Sequence, residues 1–299
     1  MSLQDRLEEV LRDASGTFGV YVKHLETGET AAINENRFFQ AASVFKIPIL
    51  AALYRDVHLG KVNLQERIRL EEADLVNGSG IFKELIPGID VTIKNLATMM
   101  IIVSDNVGTD KILRIVGKEN VNQYMKEVGL NNTYIRFSCW ELLCSCVGLP
   151  PQGFSLEIYH EINRRFKNGE IDYNSIVFQE SIDNNVTTAF DMALLLEKIA
   201  NKQQLISEKA CDDMFEILEK QQFRNRIPYL LPATTVVAHK TGTVASVVND
   251  AGIVELPDNK GRFIISAFSI GNKSEAEGAR KIAELSRAAY GYFRTEVTV

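Results

Sequence analysis

Phe39-Gln40-Ala41-Ala42-Ser43-Val44-Phe45-Lys46-Ile47-Pro48-Ile49-Leu50 is a short approach of polar and small residues that runs into an apolar helix. The pattern predicts a helix from Ser43 to about Leu59, with Gly60 where a C-terminal stop belongs. Ser43 and Lys46, three positions apart, then share one helix face and lie about one turn from each other, so a hydroxyl meets an amine. A serine alcohol is a weak nucleophile until a base takes its proton, and an ammonium in an apolar turn is pushed toward its neutral, basic form. Phe45, Ile47, Ile49 and Leu50 supply that setting. The helix N-terminus adds free N–H groups and a positive dipole end, which suit an oxyanion forming at the serine. Ser-x-x-Lys arises by chance about once in a chain of this length, so its companions must decide.

Upstream, residues 3–14 read as an amphipathic helix with Leu3, Leu7, Val10 and Leu11 on one side. Phe18–Val22 and Thr30–Ile33, separated by Glu26-Thr27-Gly28-Glu29, read as a hairpin. Downstream, Thr92 opens a core helix that ends at Ser104-Asp105-Asn106. Further helical patterns run over Thr109–Ile115, Asn120–Val128, Leu156–Phe166, Phe190–Ile199 and Ser207–Leu218. Residues 131–185 carry the weakest pattern. Three strand-like runs follow, Thr234–Ala238, Ala251–Leu256 and Phe263–Ile270, and a helix from Glu275 to about Phe293 closes the chain. These runs imply an α/β fold joined to an all-α part: a sheet built from both termini, flanked by helices, with a helical domain inserted. The expected division is 1–36 plus 205–299 for the sheet domain and 37–204 for the helical domain, with a cleft between them.

With 299 residues, 45% of them hydrophobic and 24% charged, the chain can bury a large core. A net charge of −6 argues against a nucleic-acid partner, which calls for a basic face, so an anionic substrate must be met by a few local cations. No run reaches the length of a membrane span, and Met1-Ser2-Leu3-Gln4-Asp5-Arg6 lacks the regions of a signal peptide. A mature form that has lost its export signal is compatible with this start. Cys139, Cys144, Cys146 and Cys211 lack the spacing of a zinc site, His24, His58, His160 and His239 form no H-E-x-x-H, and no metal is expected.

Three elements now stand in order: Ser43-x-x-Lys46 opening a helix, Ser104-Asp105-Asn106 ending one, and Lys240-Thr241-Gly242-Thr243 after a strand-like run. Together they are the signature of class A β-lactamases and penicillin-binding proteins, and the chain resembles that family over nearly its whole length. The opening hairpin, Val237-Ala238-His239, Asn249-Asp250 and the stretch Thr187–Ala193 extend the resemblance.

The resemblance implies a β-lactamase-like two-domain fold and a serine hydrolase that needs no cofactor. Ser43 would attack the lactam carbonyl, Lys46 would take the proton, and the N–H groups of Ser43 and Thr243 would hold the oxyanion. Ser104, helped by Lys240, would return a proton to the leaving nitrogen, and Asn106 would orient Lys46 and the substrate. Lys240, Thr241 and Thr243 would face the substrate carboxylate, with Arg226 as an added cation. Asp105 and Gly242 read as turn chemistry. The implied partner is a small β-lactam or a peptidoglycan-like peptide, and the implied protein is a monomer exported by a bacterium; the sequence also leaves a cytoplasmic location open.

Hydrolysis of the acyl-enzyme needs a base. The family pattern R-x-x-R-W-E-x-x-L-N is matched in Arg136–Ser145 at Arg136, Trp140 and Glu141, but not at Cys139, Leu143-Cys144 or Ser145. The stretch from Glu141 to Thr187 is also about thirty residues longer than the usual loop. Glu141 is the expected base and Glu180 a substitute. Without either, the same site would belong to a penicillin-binding or sensing domain that stays acylated, or to a D-Ala-D-Ala peptidase.

Overall fold

Alternating side chains at the two ends of the chain build one sheet. The computed structural model describes residues 1–202 and 205–296; positions 203–204 and 297–299, which fall within the expected domain ranges, lie outside the described residues. The N-terminal part comprises α1 (Leu3–Leu11), β1 (Thr17–His24), β2 (Thr30–Ile33), β3 (Phe39–Gln40), a 3₁₀ turn (Ala42–Phe45) and α2 (Lys46–His58). The middle runs through β4 (Arg67–Leu70), β5 (Ile89–Thr92), α3 (Ile93–Ile102), α4 (Asn106–Val116), α5 (Lys118–Glu127), α6 (Cys139–Cys146) and α7 (Leu156–Asn168). It then passes through β6 (Val186–Thr187), α8 (Ala189–Asn201) and α9 (Glu208–Glu219) to β7 (Val237–Val244), β8 (Val247–Glu255), β9 (Arg262–Ile270) and α10 (Glu275–Glu296).

The main sheet is antiparallel with strand order β2-β1-β9-β8-β7, so the hairpin from one terminus pairs with the meander from the other. Its two faces follow the period of two. Phe263, Ile265 and Ala267 pack with Leu3 and Leu7 of α1 and Ile282, Leu285 and Phe293 of α10. Ile264 and Phe268 face the larger core formed by α2, α3, α4, α8 and their neighbours. Ala238 shares that face, and so, by alternation along β7, do Lys240 and Gly242. Two small pairings, β3 with β6 and β4 with β5, tie the helical layer to itself.

Two local differences from the sequence reading bear on the site. Regular α-helix begins at Lys46, while Ser43 lies in the preceding 3₁₀ turn. Pro48 has no N–H to give the carbonyl four residues back, so α-type bonding cannot include Val44 and the chain takes a tighter turn there. Strand β7 also runs on through Lys240-Thr241-Gly242-Thr243 to Val244, held by pairing of Lys240 with Ala251 and Thr243 with Val248. The polar motif is therefore part of the sheet's edge strand.

Candidate active site

The turn that carries Ser43 is fixed from three sides. Gln40 accepts from the Ala42 N–H at 3.0 Å through Oε1, and its Nε2 donates to Val177 O at 2.8 Å and Asn184 Oδ1 at 2.9 Å. Asn249 on β8 donates Nδ2 to Gln40 O at 2.8 Å. Ala42 is thereby held at φ +42°, left-handed backbone that costs a residue with a Cβ about 1–3 kcal/mol. Third, β7 presses on the turn: a Cβ at Gly242 would lie 2.9 Å from Ser43 N and 3.1 Å from Ala41 O. Gly242 sits within a strand, so close approach, and not a turn, requires glycine there.

Lys46 is buried, and its Nζ donates to Ser104 O at 2.8 Å, to Ser104 Oγ at 3.1 Å and to Asn106 Oδ1 at 2.8 Å. Ser104 also lies in left-handed backbone, at φ +55°, which turns its carbonyl and hydroxyl together toward the amine. Asp105 caps α4 through Gly108 N at 2.8 Å and accepts from Ile81 N and Phe82 N at 2.5 and 2.9 Å, which is turn and cap chemistry. Asn106 donates Nδ2 to Asn77 O at 2.7 Å, which orients its oxygen toward Lys46.

Burial holds the Lys46 amine below the ordinary lysine range, and Lys240 well below it, the latter assisted by the Lys46 charge. Both amines are thus biased toward the form that can accept a proton. Lys240 donates to Thr241 O at 2.8 Å.

Arg226, from the segment before β7, is buried against the same strand. Its Nη1 donates to Gly242 O at 2.7 Å and Asn249 O at 2.5 Å, and its Nη2 donates to Thr243 Oγ1 and to Glu275 Oε1 at 3.1 Å. A cavity of about 510 Å³ opens over Ser43, Ser104, Asn106, Thr241, Thr243 and Arg226, large enough for a drug-sized ligand. The cavity is also lined by Ser79, Phe223, Cys139, Leu142 and Leu143, none of which sequence reasoning assigned to it.

The structure does not bring Glu141 to this cavity. Glu141 is the third residue of α6 and closes a capping box with Ser138, its Oε2 accepting from Ser138 N at 2.7 Å. Lys118 donates to the same oxygen at 2.9 Å. Glu141 lines a separate cavity of about 570 Å³ with Trp140, Lys118 and Arg114. Glu180, the substitute, is half-exposed and paired with Arg37 at 2.5 Å. The four cysteines are free and buried, and burial pushes the Cys144 and Cys146 thiols up to about 11 and about 12.

A serine beside the strained Ala42, buried amines behind it and a buried guanidinium on the sheet's edge strand make a cleft suited to serine acylation. The chain belongs to the β-lactamase enzyme family, whose model matches residues 2–293, and the family supports serine hydrolase action on β-lactams. It is 25% identical to the β-lactamase VEB-1 of Pseudomonas aeruginosa, over 96% of this chain and 89% of that protein. It is 24% identical to the extended-spectrum β-lactamase PER-1 of the same organism, over 97% and 87%. Among solved structures, a β-lactamase from Sphaerobacter thermophilus superposes with a TM-score of 0.79 at 26% identity, covering 97% of this chain and 96% of that one. PBP-A superposes at 0.76, and its leucine-to-glutamate variant in acyl-enzyme complex with penicillin G at 0.77, each with 27% identity and covering 97% and 95%. The β-lactamase-like fold expected from the sequence is the fold found. Among the described residues no helix is long and apolar enough to cross a membrane.

Proposed function

We propose that the chain opens β-lactam rings through an acyl-enzyme on Ser43. The observation that carries this reading is the buried Lys46 amine, bonded at 2.8–3.1 Å to Ser104 and Asn106, which line the same cleft as Ser43. Ser43 Oγ attacks the lactam carbonyl while its proton passes to Lys46. The carbonyl oxygen takes up negative charge facing the Ser43 and Thr243 N–H groups, at the edge of the sheet where alternate N–H groups point away from β8. As the tetrahedral centre collapses, the C–N bond breaks and the nitrogen receives a proton through Ser104, relayed from Lys46 and supported by Lys240. Asn106 orients Lys46, while Lys240, Thr241, Thr243 and Arg226 meet the substrate carboxylate.

Two lobes, 1–36 plus 205–299 and 37–204, form the walls of the cleft in this reading, and the protein acts as an exported bacterial monomer. The β-lactamases it resembles and the penicillin G acyl-enzyme of PBP-A support acylation by penicillins as the shared step. Intact-mass measurement after mixing with benzylpenicillin tests it: the mass of one ring-opened penicillin appears on the wild type and not on Ser43→Ala. Absence of any adduct together with absence of penicillin consumption refutes the reading.

A further inference from the structure

Arg226 is carried by a segment with no strand or helix of its own, between α9 and β7, yet its guanidinium is buried and bonded at the sheet's edge strand. A side chain on such a segment needs an anchor to hold it in one geometry. On the face of the sheet packed against α10, which Val237 and Val248 share by alternation, His239 of β7 and Asp250 of β8 form a wholly buried pair. His239 Nδ1 lies 3.0 Å from each Asp250 oxygen. A carboxylate only accepts, so Nδ1 carries the hydrogen and donates it. Among the described residues Nε2 has no hydrogen-bond partner, so the tie to Asp250 is the ring's one polar contact. Asp250 Oδ2 also accepts from Ile227 N at 3.1 Å, the N–H next in sequence to Arg226.

The sheet makes room for this pair. Gly252 is the cross-strand partner of His239, and a Cβ there would lie 2.6 Å from His239 Cβ and 2.8 Å from Ala238 O. Glycine in mid-strand therefore admits the imidazole. Asp250 also serves the guanidinium by charge. Burial draws Arg226 below the ordinary arginine range, and of the two carboxylates that oppose this, Asp250 acts more strongly than Glu275. Glu275 is half-exposed at the cavity, whereas Asp250 is shut off from water, so its charge reaches Arg226 with little screening. Both members of the pair lie across the sheet from Lys240, away from the residues that line the cleft.

We infer that His239 and Asp250 are positioning residues for recognition of the substrate carboxylate: His239 aims the Asp250 carboxylate, and Asp250 fixes Arg226 through the Ile227 N–H and through its charge. The inference rests on the acylation and on the carboxylate-binding role of Arg226 proposed above. The pair touches no reacting atom. Attack by Ser43 and proton transfer through Lys46 and Ser104 take place on the other side of the sheet. Loss of the pair therefore weakens capture of an anionic substrate and leaves the chemical step to proceed once a substrate is held.

The test is acylation of Ser43 by benzylpenicillin and by its methyl ester, followed by stopped flow with a chromogenic cephalosporin as reporter and resolved into a half-saturating concentration and a limiting rate. His239→Leu fills the space without an N–H. It should raise the half-saturating concentration for benzylpenicillin by about tenfold, the worth of one charge-assisted hydrogen bond, and leave the limiting rate and the methyl ester unchanged. His239→Asn, whose amide nitrogen stands where Nδ1 does, should restore most of that loss. In an Arg226→Ala background His239→Leu should cost nothing further, as a residue that acts through Arg226 requires. Asp250→Asn keeps the shape of the side chain and removes its charge; the same split is expected of it, and it decides the matter if His239→Leu does not fold. Equal losses for acid and ester, a fall confined to the limiting rate, or no loss at all overturns the inference while the acylation reading stands. If the wild type forms no penicillin adduct, the acylation reading fails and this inference falls with it.

Discussion

Gly242→Ala tests whether β7 sets the position of the nucleophile. The added Cβ would lie 2.9 Å from Ser43 N, 3.1 Å from Ala41 O and 3.1 Å from Ala42 Cβ. None of these atoms is the far end of a flexible side chain. Two belong to backbone already anchored by Gln40 and Asn249, so the strand and the turn must separate by several tenths of an ångström. Overpacking of this kind costs about 1–3 kcal/mol. Its kinetic effect should be larger than its effect on stability, because a misplacement of about 1 Å in a reacting group can lower a rate by about 100-fold. The assay is stopped-flow acylation with a chromogenic cephalosporin, together with a melting curve. Gly60→Ala is the control: Gly60 has φ +71° and nothing within 4 Å of a Cβ, so this change adds only backbone strain, about 1 kcal/mol, far from the cleft. If Gly242→Ala acylates as fast as Gly60→Ala, the claim that β7 positions Ser43 is wrong.

Lys46→Ala should slow acylation by about 100-fold or more in the same assay, as loss of a positioned base does. Because burial depresses the Lys46 and Lys240 amines from 10.5, the unfolded chain binds more protons than the folded one between their folded values and that pH, so stability should rise with pH through this window. Denaturant titrations at neutral and alkaline pH check this, and Lys240→Ala should flatten the rise. Gln40→Ala leaves the N–H of Ala42 and the oxygen of Val177 without their partner, while Asn184 Oδ1 keeps the Asn185 N–H, and should cost about 1–3 kcal/mol by denaturant unfolding. Arg226→Lys keeps the charge but loses the fork, and should weaken penicillin acylation by about tenfold. That loss should shrink for a penicillin methyl ester, which has no carboxylate to bind. Glu180→Ala breaks a half-exposed pair with Arg37 and should change stability by less than about 1 kcal/mol, with no change in acylation or in adduct lifetime.

Much of the cleft was legible because its polar residues stand at the ends of recognisable elements. Ser43, Ser104 and Lys240 each border a helix or strand whose apolar pattern is readable alone, and order along the chain then joins them. The hairpin and terminal helices were legible for the same reason. Helix α6 was not. Its segment, Cys-Trp-Glu-Leu-Leu-Cys-Ser-Cys, is apolar on nearly every side, so periodicity gives no face, and a short motif match drew attention to Glu141 alone. Two local signals were available: Ser138-x-x-Glu141 has the spacing of a capping box, which commits that glutamate to the helix start, and Cys139, Leu142 and Leu143 share a face that excludes it. The Lys118 partner comes from α5 and had no local sign. The extension of β7 through a polar motif was likewise set by strand pairing, which a single strand's composition does not reveal.

The oxygens that hold the Lys46 and Lys240 amines all belong to uncharged groups, two backbone carbonyls, a hydroxyl and an amide. As an element of a folded protein such a cleft is a loss: two basic groups withdrawn from water, each contacted by neutral partners. A lineage selected for thermal robustness alone would trade these lysines for apolar side chains, and the most stable descendants would be the inert ones. The two buried amines are therefore a stability cost that the proposed chemistry, and not the packing, would account for.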